Sequence, residues 1–363
     1  MTKKIILKCS RIMMAILLLI ILSLALFLIW SSQTPLKKGI TSQVLKNAES
    51  LQTHEEVTSK ANIKVMTYNL SFAYGVGNEG LKRTHWNEDI MKSQLNKLVD
   101  LIKLEKVDII LLQEIDFDSQ RSFHFDQLNF LMKKTQLKFT SRAISWWQNF
   151  IPYPYFPILK KFGAMKSGGA ILSRFPIIDE EIHLLDKPTN NPWWYNLFYL
   201  YRYFQVCSIE LYGKKIKVIN LHLEAYDSDN RKEQIDHLIN QKIKNLQSEN
   251  SESNEVILVG GDFNLLPPNA TKKSDFSDGD DQYQNDLSSE ILFKEMPLRE
   301  IVSLADYEKN EKNYWTFPSN LPNRRLDYLF YQATKMKLDN VKFIKNLDVS
   351  DHLPVIAEFS FLQ

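Results

Sequence analysis

Asp262 and Asn264 stand one residue apart at the end of the stretch VILVGGDFNLLP, where a β-branched and aliphatic run closes on two glycines. On extended backbone, residues i and i+2 share a face, so a carboxylate and an amide would project together from a strand end. An Asx-rich turn, with both side chains bonded to local backbone, explains the pair equally well. The pattern recurs along the chain. Asn69 follows VMTY, Glu114 follows IILLQ, His222 follows VINL, Asp327 lies within RRLDYLF, and Asp351 and His352 fall in VSDHLPVIAEF. Each alone reads as a turn cap, a solvated strand terminus or a half-buried histidine. Together they put metal-ligand and acid–base residue types at the ends of separate strands, which folding alone does not require.

The elements that must position them are short. Strand candidates are 63–70, 108–115, 168–177, 204–211, 215–224, 255–263, 325–331 and 355–361, and helical apolar rhythm fills 85–107 and 230–247. Many strands with few helices argue against a doubly wound parallel sheet and for two sheets packed on each other with helices outside.

The N-terminus carries a different signal. Ile12 to Trp30 is an uncharged apolar run that spans a bilayer core as a helix, and the exit FLIWSSQ has no clean cleavage site. Lys3, Lys4, Lys8 and Arg11 precede it, so the positive-inside bias puts residues 1–11 in the cytosol and the rest of the chain outside it, facing the membrane. Residues 31–61 read as a polar tether, with the catalytic domain at 62–363. Of 45 basic and 43 acidic residues, six basic and no acidic ones precede Gly39, which leaves a net charge of −4 beyond. That balance lacks the basic footprint of non-specific nucleic-acid binding. Cys9 and Cys207 are the only cysteines and lie on opposite sides of the apolar run, so the outer domain has no internal disulfide. No Walker-type loop, HExxH or zinc-like Cys/His spacing is present.

The ordered motifs TYNL, LQEI, GGAILSRFP, NLHLEA, GGDFN, RRLDYLF and SDHLPV resemble the endonuclease/exonuclease/phosphatase superfamily over residues 63–361. The resemblance implies an α+β fold: a four-layer α/β/β/α sandwich of two mostly antiparallel sheets, with the site at one edge. It implies a phosphoester hydrolase. Such chemistry needs a cation to offset charge on the phosphoryl oxygens, an in-line water and a proton for the leaving oxygen. A hard cation such as Mg²⁺, with Mn²⁺ as substitute, takes oxygen ligands. Glu114 is the leading ligand, with Asn69 and Asp351 beside the metal directly or through water. By resemblance Asp262 orients and deprotonates the attacking water, and Asn264 holds water or phosphate. His222 and His352 flank the phosphate, and Asp327 fixes the tautomer of His352. Glu224, Asp227 and Arg174 lie near motif positions with structural pairing as an equal explanation, while Arg325 is a candidate phosphate contact.

Two aromatic stretches, 145–157 and 191–204, hold Trp146, Trp147, Trp193 and Trp194. Tryptophan favours the water–lipid interface, so lipid contact leads, with core packing or base stacking as alternatives. The expected activity is a membrane-anchored phosphodiesterase or phosphatase on a lipid headgroup. An anchored nuclease on DNA or RNA is the rival enzyme, and a silent lipid-binding member is the rival outside catalysis. No obligate protein partner is expected.

Overall fold

A seven-stranded and a six-stranded sheet pack face to face in the computed structural model, which describes residues 2–44, 62–75, 86–153, 161–249, 255–279 and 283–362. Preceding them is helix α1 (Thr2–Ser31), of which Ile5–Ser31 is long and apolar enough to cross a membrane. The six-stranded sheet runs β12 (Met336–Phe343), β13 (Val355–Phe361), β2 (Asn62–Asn69), β3 (Ile109–Asp116), β5 (Gly163–Ser173), β4 (Phe139–Ile151). The other runs β1 (Gly39–Val44), β6 (Ile177–Leu184), β7 (Tyr203–Leu211), β8 (Lys214–His222), β9 (Val256–Asp262), β11 (Asp327–Tyr331), β10 (Arg299–Glu300).

Helices α2 (Glu88–Glu105) and α3 (Gln127–Lys134) cover the outside of the smaller sheet, where Leu95, Leu98 and Ile102 meet Met66, Ile110 and Ile356. On the far side, α5 (Ser228–Asp236), the wider turn His237–Ile243 and α7 (Ser288–Glu295) set Ile235, Leu238 and Leu292 against Ile219, Val259 and Tyr328. A third core, with Val65, Leu111, Val218 and Leu258, lies between the sheets. The four-layer α/β/β/α sandwich implied by the motifs is the fold. Because β2, β3, β8 and β9 bury both faces, their sequences read as apolar runs rather than as alternation.

Two parallel pairs decide where chemistry can sit. All pairings are antiparallel except β2 with β3 and β8 with β9, one in each sheet. A parallel pair needs a crossover, supplied by α2 in one case and α5 in the other. Asn87 starts α2 by accepting from Ile90 N–H and Lys106 ends it in the left-handed conformation; Asp227 caps α5 by accepting from Asn230 N–H. Each crossover returns the chain in the same direction, so all four strands finish at one edge of the sandwich. Asn69, Glu114, His222 and Asp262 lie at those ends.

Several expectations change. Residues 39–44, read as part of the tether, form edge strand β1 on β6, with every side chain exposed. Backbone pairing at an edge needs no apolar pattern, which is why the sequence did not mark it. Residues 45–61 of the tether and 154–157 of the first aromatic stretch lie outside the described residues. Residues 145–151 of that stretch form the second half of β4. The 168–177 candidate is two elements, β5 ending at Ser173 and β6 starting at Ile177.

Gly261 is needed where the parallel pair closes. Its φ is +153°, and a Cβ there would stand 2.1 Å from Leu221 O. Gly261→Ala should destabilise the chain by about 1–3 kcal/mol, read as a lower denaturant midpoint, because β9 must move off β8.

Candidate active site

Along the facing surfaces of the sheets, the side chains change from apolar to polar toward one edge. Val65, Thr67 and Asn69 follow one another at every second position on β2; Val218, Asn220 and His222 do so on β8; Leu258, Gly260 and Asp262 do so on β9. Midway, Gln113 Nε2 donates to Asn220 Oδ1 across the gap at 2.7 Å, and Asn220 Nδ2 donates to Leu112 O at 2.9 Å. One step further out, Asn69 Nδ2 donates to Asp262 Oδ2 at 2.9 Å and to Glu114 Oε1 at 3.1 Å. The inter-sheet layer is thus a hydrophobic core at one end and a polar cluster at the other.

Glu114 reaches the cluster through a bulge. The β3–β5 register slips between Leu112 and Ile115, and Glu114 has φ +51°. A left-handed non-glycine residue is strained, and here the strain turns the carboxylate to the half-exposed rim. Asn264 also has φ +52°. Its N–H donates to Asp262 Oδ1 at 2.9 Å and its Nδ2 donates to Leu223 O at 3.0 Å. The chain leaves the strand at Phe263, so Asp262 and Asn264 do not share a face. Asn264 closes an Asx turn that fixes the Asp262 carboxylate.

Asp327 enters through β11, where it lies opposite Asp262, and His352 through the segment before β13, which pairs with β2. His352 Nδ1 is 2.9 Å from Asp327 Oδ2, and its Nε2 is 3.6 Å from Asp262 Oδ2. His222 Nε2 is also 3.6 Å from Asp262 Oδ2, and 3.9 Å from Glu114 Oε1. Asp351 is half-buried beside His352, its Oδ1 3.2 Å from Ser350 Oγ. The structure therefore gathers Asn69, Glu114, His222, Asp262, Asp327, Asp351 and His352 at one place.

The two histidines are held in opposite states. Arg202 Nη1 donates to His222 Nε2 at 2.6 Å, and burial, Arg202 and His352 keep His222 neutral, with its pKa well below the usual histidine range. Burial also opposes charge on His352, but Asp327 and Asp262 outweigh it and hold its pKa up at about 10. Burial, then the charge of Asp327, pushes Asp262 up to about 7 against the pull of His352.

Arg202 and Tyr199 are the residues that sequence reasoning missed. Arg202 Nε is 3.3 Å from Glu224 Oε2, and Tyr199 O–H donates to Glu224 Oε1 at 2.8 Å. Glu224 so carries Arg202, which carries His222. A signal existed: the β7–β8 hairpin turns at Tyr212–Gly213, and counting back from it sets Tyr203 opposite His222 and Arg202 beside it.

Other candidates fall away. Arg325 is buried against Glu300, with its guanidinium 4.6 Å from the Tyr328 ring, and offers no phosphate contact. Sequence places it beside Asp327, but it lies outside the strand and its side chain packs inward. Trp146 is 8% exposed, with Nε1–H donating to Phe198 O at 3.0 Å, so it is core. Trp147, Trp193 and Trp194 are exposed. Arg174 pairs with Asp108 at the start of β3, at the opposite edge.

A divalent cation fits this donor set. Asp262, Asp327 and His352 offer atoms within 4.8 Å of one another. The Asp327–His352 hydrogen bond and the charge on His352 make that trio an acid–base array more than a ligand set. The half-buried rim carboxylates Glu114 and Asp351 carry hard oxygens of the kind such a cation takes. Glu224 pairs with Arg202 and Asp327 with His352, and Asp327 Oδ1 is buried without a hydrogen-bond partner among the described residues. The Asn69 amide oxygen is taken by Ser71 N–H at 3.0 Å, so as placed its amide bridges two carboxylates through nitrogen.

A family model described as the Endonuclease/Exonuclease/phosphatase family matches residues 66–352. The chain belongs to this family. Its members are phosphoester hydrolases that use divalent metal ions. Solved structures share the fold at low identity. An endonuclease/exonuclease/phosphatase from Beutenbergia cavernae is 18% identical, with TM-score 0.54, covering 83% of this chain and 72% of its own. A Bacteroides thetaiotaomicron mannosyl-6-phosphatase is 17% identical, with TM-score 0.53 and coverage of 82% and 99%. D. rerio TDP2 with a single-strand DNA product is 15% identical, with TM-score 0.53 and coverage of 82% and 99%. No curated protein matches in sequence.

Removing Arg202 alone leaves Glu224 buried without its cation, so Arg202→Met should destabilise the protein by about 3–5 kcal/mol. Arg202→Met with Glu224→Leu should recover most of that loss in the same denaturation measurement, without restoring activity.

Proposed function

We propose that the protein is a membrane-anchored, Mg²⁺-dependent hydrolase of a phosphoester on a lipid headgroup. The observation that carries the hydrolytic reading is Asp262, buried between two imidazole nitrogens each 3.6 Å from its Oδ2, one neutral and one charged. A base and an acid separated in this way serve attack and departure in one displacement.

Glu114 and Asp351, with Asn69 through water, would hold the cation, which supplies charge to offset that developing on the phosphoryl oxygens. Mn²⁺ would substitute. Asp262, aligned by Asn264 N–H, orients the attacking water and takes its proton. The His352 imidazolium, oriented by Asp327, gives a proton to the leaving oxygen. Arg202, beside neutral His222, supplies positive charge on the other flank.

The lipid reading is supported by α1, an apolar helix whose basic flank favours, by the positive-inside bias, residues 1–11 on the cytosolic side, and by the net −4 of the remainder. It is tested with the full chain in nanodiscs, given phosphatidylinositol and sphingomyelin, soluble inositol phosphates, plasmid DNA and RNA, with Mg²⁺ or chelator. Mg²⁺-dependent turnover of lipid is expected. Nucleic-acid cleavage without lipid turnover would replace the substrate, and no turnover of any phosphoester would leave a lipid-binding member.

His352→Ala and Asp262→Asn should each lower kcat by about 10²–10⁴. The pH profile of kcat/KM should be bell-shaped. It rises as Asp262 loses its proton near pH 7 and falls as His352 loses its proton near pH 10, both limbs belonging to the coupled pair. Asp327→Asn removes a carboxylate that favours charged His352, so the falling limb should move to lower pH.

A further inference from the structure

The end of α1 sits on the protein at one place. Asn149 Nδ2 donates to Trp30 O at 2.9 Å, and the Phe150 ring lies 5.7 Å from Phe27 and 6.5 Å from Trp30. Both contacts fall on the last residues of β4. That part of β4 projects beyond the sheet: β3 stops pairing with β5 at Asp116 opposite Ser167, whereas β4 continues from Trp147 opposite Lys166 to Ile151 opposite Gly163. The projection leaves from the same edge as Glu114.

It has its own small core of Trp146, Ile151, Met165 and Phe198. The short helix α4 (Trp193–Asn196) is fastened to it, with the Tyr195 ring stacked 6.1 Å from Tyr153 and Gln148 bonded to Leu197 O. This arrangement leaves Trp193 75% and Trp194 49% exposed on α4 and Trp147 36% exposed on β4, while Trp30 at the end of α1 is 48% exposed. Lys166 Nζ lies 4.2 Å over the Trp147 ring and Lys161 Nζ 5.9 Å from Phe150. From Phe198 the chain runs directly to Tyr199 and Arg202, which hold Glu224 and His222.

We propose that this projection is the face that lies on the bilayer, with Trp193 and Trp194 in the headgroup layer and the catalytic edge turned toward the membrane. The proposal rests on the membrane reading of α1 above and adds which surface the membrane meets. Its occupant is a phospholipid surface because a helix able to span a membrane ends on the patch itself. Exposed indoles, with Lys166 over Trp147 and Lys161 by Phe150, match the apolar–polar boundary and the headgroup phosphates. A substrate headgroup would then reach Arg202 and His222 without leaving the membrane plane.

The full chain, with Cys9→Ser, would carry a nitroxide at Trp193→Cys, or at Trp194→Cys as a second site, in phosphatidylcholine–phosphatidylglycerol nanodiscs. Oxygen and a nickel chelate would report depth. Leu19→Cys reports on α1, and Leu104→Cys, 77% exposed near the end of α2 at the opposite edge, serves as the water reference. Labels at 193 and 194 are expected about 5–10 Å into the headgroup–acyl boundary, with that at 104 in water and that at 19 in the acyl core. A label at 193 and 194 as open to nickel as that at 104, while 19 is in the acyl core, overturns the orientation and leaves the anchor standing. A label at 19 in water removes the anchor and this proposal with it. Shielding of 193 from both reagents that requires two chains per disc assigns the patch to a second copy and also overturns it. None of these readings depends on turnover, so the headgroup substrate stands or falls separately.

Discussion

A carboxylate buried between two sheets must find hydrogen bonds and positive charge there, and Asp262 imposes that demand on everything around it. It accepts from Asn69 across the inter-sheet gap and from Asn264 N–H in the turn just past its own strand. Losing those partners would leave a desolvated charge in a region that excludes water. The Asn69–Asp262 bond therefore couples the registration of one sheet to the other at the point where chemistry is needed. Gln113 and Asn220 repeat the coupling one layer deeper. The site is the polar end of the same facing surfaces whose other end is hydrophobic core.

Topology follows from this demand. Strand ends from both sheets converge only if their strands run in compatible directions. The two parallel pairs and their helical crossovers achieve that for Asn69, Glu114, His222 and Asp262, and antiparallel partners bring in Asp327 and His352 from the opposite chain direction. Strain at Glu114 and Asn264 marks where regular strand geometry would have aimed a side chain elsewhere. The helix-capping and inter-sheet contacts that hold these strands offset it.

A second polar layer sits behind the first. Glu224, Tyr199 and Arg202 are buried and mutually bonded, and Arg202 touches His222; burial and Arg202 keep that imidazole neutral while Asp327 keeps His352 charged. Burial disfavours charge on both imidazoles, and Asp327 and Asp262 overcome it only at His352. The segment carrying Tyr199 and Arg202 continues into the aromatic projection on which α1 ends, so that projection and the electrostatics of the site draw on one stretch of chain.

The sequence by itself determined the packed sheets, the apolar helix and the polar residues Asn69, Glu114, His222 and Asp262 at strand ends. Strand ends with polar residues after apolar runs are local patterns, and a run long enough to span a bilayer is a matter of composition. Only the tertiary structure decided that Arg202 belongs to the site and Arg325 does not, that Trp146 is core while Trp193 is exposed, and that residues 39–44 add a strand. Each of those depends on which distant segment lies alongside. Such pairing is fixed by burial and backbone hydrogen bonding between strands far apart in the chain, which residue types at neighbouring positions do not encode. The protonation states of His222 and His352 are decided there too, because the charges that set them come from other strands.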